Sequence, residues 1–362
     1  MNIAFYIDEM NLRGVANSTF NYAKYNRKIL KNNSYIFYNK KNFRNKKEII
    51  RKFQTKFLVK GINNFKEIDD YKKLLNLDYI YTQKSGNRDK WISKKIHTLV
   101  HAIYPQKLSE IHGHKYVYVS DWLSKSFSNN KISILPYIVE LDSTRKNLRK
   151  KLKIKKNNIV LGCHGGDSSF NLKFAQDSIL DLVKIRKDIF FVFLNIKRFC
   201  KHPRIIFLKG SSNENYKKKF LNTCDVMIYG RSLGESFGLA CGEFAHQNKL
   251  IISYKYNRHR AHLNHLFNKN FYEYGSKQEL KNIVLKLNKS KLLKKIKNKY
   301  SKYNSKYVMN VFKKVFLKNT KPFNFSFNYY FFNYLAFIEM ASYYFKHKLY
   351  NHYYNYIIKK II

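Results

Sequence analysis

Two glutamates eight residues apart, Glu235 and Glu243, sit in the stretch Gly234-Glu235-Ser236-Phe237-Gly238-Leu239-Ala240-Cys241-Gly242-Glu243. Short apolar runs flank it, Val226-Met227-Ile228-Tyr229 before and Leu250-Ile251-Ile252-Ser253 after. Runs of this kind predict parallel strands buried on both faces, and the stretch between them predicts a helix over 236–247. Ser236 is the expected N-cap, so the amides that follow it are unpaired and stand at the positive end of the helix dipole. Gly238 lets a ligand approach that backbone closely. A helix opened in this way after a strand is suited to a phosphate or diphosphate. A phosphate alone has no use for carboxylates, but hydroxyl-rich groups on either side of a diphosphate do: a sugar at one glutamate, a ribose at the other. Taken without their context, the two glutamates also fit an ordinary crossover helix with an exposed carboxylate at each end.

The elements that must position this stretch recur along the chain. In the first half, strands are expected at Asn2–Asp8, Tyr35–Tyr38, Phe57–Val59, Tyr79–Tyr81, Thr98–His101 and Tyr116–Val119. Helices are expected near 18–31, 46–55 and 67–75, with a short one capped by Ser120. The second half repeats the pattern, with strands at Ile159–Gly162, Ile189–Leu194, Ile205–Leu208, Val226–Tyr229, Leu250–Ser253 and, more weakly, Phe271–Tyr272. Its intervening helices fall near 171–186, 213–223, 236–247 and 277–287. Strands alternating with helices argue for α/β architecture, two Rossmann-like doubly wound sheets in tandem facing a cleft. The expected boundaries are an N-terminal Rossmann-like domain over 1–143, a basic linker over 144–156, and a C-terminal Rossmann-like domain over 157–290. An extension over 291–362 follows, a Lys-rich helix (about 289–318) and then an aromatic-rich segment from Phe323. That last segment reads as a helical hairpin packed on the body in preference to an interfacial membrane helix. Asn328, Asn333, Glu339 and Lys346 interrupt it, which argues against a spanning helix.

Composition narrows the function classes. A formal net charge of +48 invites a nucleic-acid reading. The lysines, however, are spread over the whole chain among many Asn, Ile, Tyr and Phe residues, the set favoured by AT-rich coding, and are not gathered on one element. Bias is therefore the simpler account, with the consequence that anionic nucleotides and anionic membrane surfaces are attracted. Four cysteines without a C-x-x-C pair argue against a zinc site or disulfide framework and for a reducing compartment. No charged segment followed by an apolar one opens the chain, so no signal peptide is expected and a cytoplasmic location is, with peripheral membrane contact as an extension of it. Walker and GxGxxG motifs are lacking.

The stretch around Glu235 and Glu243 resembles the E-x7-E signature of glycosyltransferase family 4, in the form G-E-S-F-G-L-A-x-x-E between two strands. The resemblance implies the GT-B fold and transfer of a sugar from a nucleotide-sugar donor to a glycan, lipid or protein acceptor, with retention of configuration and no obligatory metal or other cofactor. It assigns Glu243 to the ribose hydroxyls, Glu235 to the donor sugar, and the backbone of Ser236, Phe237, Gly238 and Leu239 to the diphosphate. Asp8–Val15, with Gly14, is similar to the family's N-terminal loop, and His101 stands where the family places a histidine near the donor sugar. Tyr118-Val119-Ser120-Asp121-Trp122-Leu123 follows it at the spacing of the family's V-S-x-W-L segment. Arg231 is a phosphate or acceptor ligand on this view, and the segment from Leu208 through Gly210 borders the base. Where the family has an arginine in the second domain, this chain has His164. Lys173, Lys197 or Arg198 would then supply the missing charge, with the amides of Gly165 and Gly166 forming an anion-binding nest. Lys84, at the end of a first-domain strand, reads as a surface lysine. Two rivals remain open from the sequence: a basic nucleic-acid-binding protein, and a nucleotide-sugar epimerase or degenerate binding module on the same fold.

Overall fold

In the computed structural model, which describes residues 1–141, 144, 146–266, 271–293, 299–318 and 325–361, the apolar runs become two parallel sheets. In the first unit the order is β1 (Asn2–Ile7), α1 (Gly14–Lys28), β2 (Asn33–Asn39), α2 (Lys47–Gln54), β3 (Leu58–Ile62), α3 (Tyr71–Leu75), β4 (Tyr79–Lys84), β5 (His97–Ala102), β6 (Lys115–Tyr118) and α4 (Asp121–Ser128). The second unit contains β7 (Ile159–His164), α5 (Lys173–Ile185), β8 (Ile189–Leu194), β9 (Ile205–Leu208), α6 (Glu214–Thr223), β10 (Val226–Tyr229), β11 (Gly234–Glu235), α7 (Leu239–His246), β12 (Leu250–Tyr254), β13 (His259–Arg260), α8 (Ala261–His265), β14 (Phe271–Tyr274) and α9 (Lys277–Leu285). After these come α10 (Ser305–Phe312) and α11 (Phe327–Ile361).

The sheet orders are β3-β2-β1-β4-β5-β6 and β14-β12-β10-β7-β8-β9. In the first sheet the order reverses between β1 and β4, and in the second between β7 and β10. All pairings within the two sheets are parallel. Helices cover both faces, so β1 buries Ile3 through Ile7 without alternation, as a two-sided sheet requires. Beneath one face of the first sheet, Ala4, Tyr6, Phe37, Phe65, Ile80 and Ile96 form a continuous core.

Chain and compactness divide differently from the expected boundaries. The first unit comprises Met1–Ile138 and Lys302–Phe337; the second comprises Val139–Ser301 and Ile338–Ile362. Part of the expected linker, 144–156, belongs to the second unit: Arg149 pairs with Asp225 at 2.6 Å and the Leu148 amide donates to Thr223 Oγ1. Residue 145 of this stretch and its neighbours 142 and 143 lie outside the described residues. Residues 289–318 are not one helix. They hold 3-10 turns, a break at Asn304, which caps α10, and a π turn after Phe312, with 294–298 outside the described residues. Phe312 and Phe316 pack on Tyr81 of the first unit at ring distances of 5.6 and 5.8 Å.

The expected hairpin is a single helix, α11, of 35 residues. From 323 onward the sequence has neither glycine nor proline, so nothing turns it. Its Asn333 donates to the carbonyls of Gln106 and Phe127 in the first unit. Later, Tyr350 accepts the Lys277 amide and Tyr354 donates to Asp177 in the second. No described helix is long and apolar enough to cross a membrane.

Lys84 is a further departure. It ends β4 fully enclosed, with its ammonium 2.5 Å from Asp89. Burial lowers its pKa against the opposing pull of Asp89. A buried ammonium stripped of its partner is costly, so Asp89→Asn should destabilise the protein by about 3 kcal/mol. Lys84→Met, which leaves only a partly solvated carboxylate, should cost less. Urea unfolding of both variants orders the two effects; the reverse order would mean that the pair is dispensable.

Candidate functional site

At the reversal of the second sheet β7 and β10 are paired neighbours, and the connections leaving their carboxyl ends run to opposite sides, the place where such sheets bind ligands. β10 ends at Tyr229, and the chain then passes through β11, whose Gly234 and Glu235 pair with His259 and Arg260. Gly234 has a φ of +74°, and a Cβ there would stand 2.0 Å from the His259 carbonyl, so only glycine fits. This ladder holds the Glu235 backbone. Its side chain is held separately, by Tyr229 Oη at 2.8 Å and Arg231 Nη1 at 3.0 Å, both donating to Oε1. Asn257 donates to the Arg231 carbonyl at 2.6 Å and fixes the turn between them. Glu235 keeps about a quarter of its side chain open, 23%. It is an oriented carboxylate with a solvent-facing edge.

The helix that follows starts later than the sequence suggests. Its N-cap is Gly238, in left-handed conformation (φ 84°, ψ 56°), and Ser236 lies in the bend before it. Gly238 prevails because a Cβ there would meet His262 Cβ at 2.6 Å and Tyr300 Oη at 2.7 Å, a fit no capping side chain can share. Before it, the Phe237 carbonyl accepts from Tyr300 Oη (2.7 Å) and lies 3.3 Å from His265 Nδ1, which locks the entry to the helix. The first intrahelical bond runs from Gly242 N to Gly238 O at 2.8 Å. The amides of Leu239, Ala240 and Cys241 therefore precede the helix's own hydrogen-bond ladder, and Leu239 and Ala240 are half-exposed. Gly238→Ala should combine left-handed strain with this clash and lower stability by about 2 kcal/mol. Thermal unfolding measures it, and an unchanged midpoint would show that the helix start is freely adjustable.

Just over one turn into α7, Glu243 is only 4% exposed. Lys217 Nζ, from α6, reaches Oε1 at 2.5 Å, and His164 Nε2, from the end of β7, lies 2.9 Å from Oε2. The His164 contact is close but not aligned as a hydrogen bond. Burial pushes the Glu243 carboxyl upward, but Lys217 and then His164 outweigh it and hold it down at about 2. An ionised carboxylate has about four lone-pair directions, so both oxygens retain capacity for further donors.

The other sequence candidates fall as follows. Gly210 lies so close to Asn195 that a Cβ would stand 2.4 Å from Oδ1. The nest expected at Gly165 and Gly166 is not available to an anion: Gly165 N donates to the Leu194 carbonyl at 3.3 Å, and Gly166 N to Ser169 Oγ at 2.9 Å. A following serine that turns back to close its own loop accounts for this. Lys173 is tied to Asp177 at 2.5 Å, and Arg198 stacks over Phe207. Arg231 stands at Glu235, as the sequence suggests, and the lysine brought to Glu243 is Lys217, which no sequence signal singles out among so many lysines. In the first unit, Gly14 opens α1, and a Cβ added there would meet nothing within 4 Å. His101 is wholly buried, with Nδ1 2.7 Å from Tyr81 Oη and its ring against Tyr22 and Tyr137. Burial drops its pKa to about 3 and keeps it neutral. Among the described residues, no group of three or more His, Cys, Asp or Glu is placed to hold a metal ion.

No protein-family model matches the chain, and no curated protein matches it in sequence. Solved structures do match in shape. A glycosyltransferase from Rickettsia africae superposes with a TM-score of 0.61 at 17% identity, covering 94% of this chain and 98% of that one. HepE from Anabaena, in complex with UDP-glucose, gives 0.59 at 13% identity over 94% of this chain and 100% of that one. The UDP-GlcNAc 2-epimerase of Neisseria meningitidis bound to UDP-GlcNAc gives 0.56 at 12% identity over 88% and 100%. The chain thus has the GT-B fold, two Rossmann-like units of six parallel strands each, which these glycosyltransferases and epimerases share.

Proposed function

We propose that the chain is a glycosyltransferase that takes a sugar from a nucleotide-sugar donor, belongs with family 4 by its E-x7-E stretch, and works in polysaccharide or glycoconjugate synthesis. The observation that carries this reading is the pair of differently held glutamates around one helix start. Glu235 is oriented by Tyr229 and Arg231 with an open edge. Glu243 is kept ionised by Lys217 and His164. Between them the amides of Leu239 to Cys241 face away from the helix ladder. The diphosphate binds these amides, Glu243 accepts from the ribose hydroxyls, and Glu235 accepts from the donor sugar's hydroxyls and holds its anomeric carbon.

In the reaction the bond from the anomeric carbon to the diphosphate oxygen breaks, and a bond to an acceptor oxygen forms on the same face. The acceptor's proton passes to the departing phosphate. The helix dipole and Arg231 stabilise the charge left on the diphosphate, an electrostatic contribution that takes the place of a metal ion. Neutral His101, held by Tyr81, and Gly14 belong to the acceptor-side unit. The acceptor is a glycan, lipid or protein hydroxyl.

A thermal-shift panel of UDP, GDP, ADP and their sugar conjugates tests the reading. UDP is the first expectation, since relatives in fold carry UDP or UDP-sugars. At a hundred times its Kd, a bound nucleotide adds about 2.7 kcal/mol of stability. An epimerase on this fold would interconvert a UDP-sugar without acceptor, whereas a transferase releases UDP in proportion to acceptor glycosylated. A nucleic-acid binder would respond to none of these compounds.

A further inference from the structure

Helix α11 leaves one face bare along most of its length. Asn333, Ala336, Met340 and Tyr354 are buried against the body. The opposite side carries Phe327, Phe331, Tyr334, Ile338, Phe345, Leu349, Tyr353 and Tyr356, at intervals of three, four or seven residues. Such intervals keep side chains on one helix face. These side chains are open to solvent, Phe331 at 54%, Ile338 at 50%, Phe345 at 62% and Leu349 at 71%. At 1.5 Å per residue the stripe runs for about 40 Å. A monomeric soluble protein seldom leaves so long an apolar strip uncovered.

We infer that this face docks on the surface of a bilayer rich in anionic phospholipid. Charge chooses this occupant. The chain carries +48, and on α11 Lys346 and Lys348 lie exposed beside the stripe, with Glu339 as its one acidic residue. A second copy of the chain would bring another +48 against the first, while an anionic surface neutralises it. Phe and Tyr with flanking Lys also suit the boundary between headgroups and acyl chains, where a helix lies in the plane with its apolar side down. The helix cannot span, because no described helix is long and apolar enough. This docking does not depend on the nucleotide-sugar reading.

The test is sedimentation of the full chain with vesicles of neutral phosphatidylcholine, or of phosphatidylcholine mixed with phosphatidylglycerol, beside a fourfold variant, Phe331→Ser, Ile338→Ser, Phe345→Ser, Leu349→Ser. All four positions are exposed, so the fold should survive, which circular dichroism checks. Charge alone would bring both proteins to anionic vesicles at low salt. In about 1 M salt, where the Debye length falls to about 3 Å, the wild type should stay bound and the variant partition at least about tenfold more weakly. A Phe345→Trp variant should show a blue-shifted emission on anionic vesicles. Release of the wild type by salt, equal binding of the variant, or an unshifted tryptophan would each overturn the inference. So would a lipid-free dimer that the fourfold variant dissolves, which would give the face to a second copy.

Discussion

Replacing Glu243 with glutamine should abolish the nucleotide-induced thermal shift and, in the same protein, remove a large part of its sensitivity to acid. The carboxylate is buried, it sits 2.5 Å from Lys217 and 2.9 Å from His164, and its pKa is held at about 2 against an ordinary 4.5. A depressed carboxyl stabilises the fold fully above its unfolded value and loses that contribution as the pH falls through its folded value. The window here lies between about pH 5 and pH 2, and the amount is about 3 kcal/mol. Glutamine keeps the shape but leaves the Lys217 ammonium without its counter-charge, so the variant should be weaker at pH 7 and its stability flatter below pH 5. Denaturant unfolding at pH 7 and pH 3 measures both. A variant with the wild-type pH slope would show that the ion contacts contribute nothing. A variant that still responds to nucleotide would remove Glu243 from the ribose.

The second large effect is expected at Glu235 and separates chemistry from binding. Glu235→Gln keeps the hydrogen-bonding reach of the side chain but loses the charge that Tyr229 and Arg231 orient. If this carboxylate fixes the donor sugar, turnover should fall about a hundredfold or more, the scale of losing one preorganised electrostatic contact. The affinity for the nucleotide alone should hardly move, because the diphosphate and ribose are held elsewhere. Calorimetric titration with UDP, set beside turnover with the matching UDP-sugar, reads the two quantities independently. Equal losses in both would merge the two glutamates into one role.

How far the sequence foretells this arrangement depends on what kind of signal each part carries. The strands were legible because most are short runs of β-branched and aromatic residues, the central ones buried on both faces. Their repetition with helices between implied two parallel sheets, which the structural likeness to GT-B proteins matches. Ser120 was legible as a cap because a serine hydroxyl before Asp121 has only one helix to serve, and it accepts from Leu123 N. At α7 the same logic misled. Ser236 has the right chemistry for a cap, but the crowding of His262 and Tyr300 against residue 238 decides the start, and crowding between distant segments leaves no trace in local sequence. Lys217 and Lys84 were hidden for another reason: in a chain this rich in lysine, a partnered ammonium looks like every solvated one. Only tertiary placement beside Glu243 and Asp89 distinguishes them. For α11, the absence of glycine and proline after 322 is the signal of one helix that the hairpin reading passed over, and at least one of the polar residues that argued against a membrane span serves packing. Asn333, for example, bonds two backbone carbonyls.

The most direct test of the central claim is a crystal structure of the protein with an intact UDP-sugar bound. The account predicts diphosphate oxygens at hydrogen-bonding distance from the amides of Leu239 and Ala240, ribose hydroxyls on Glu243 and sugar hydroxyls on Glu235. A nucleotide seated away from the start of α7, or one whose ribose and sugar touch neither glutamate, would contradict it.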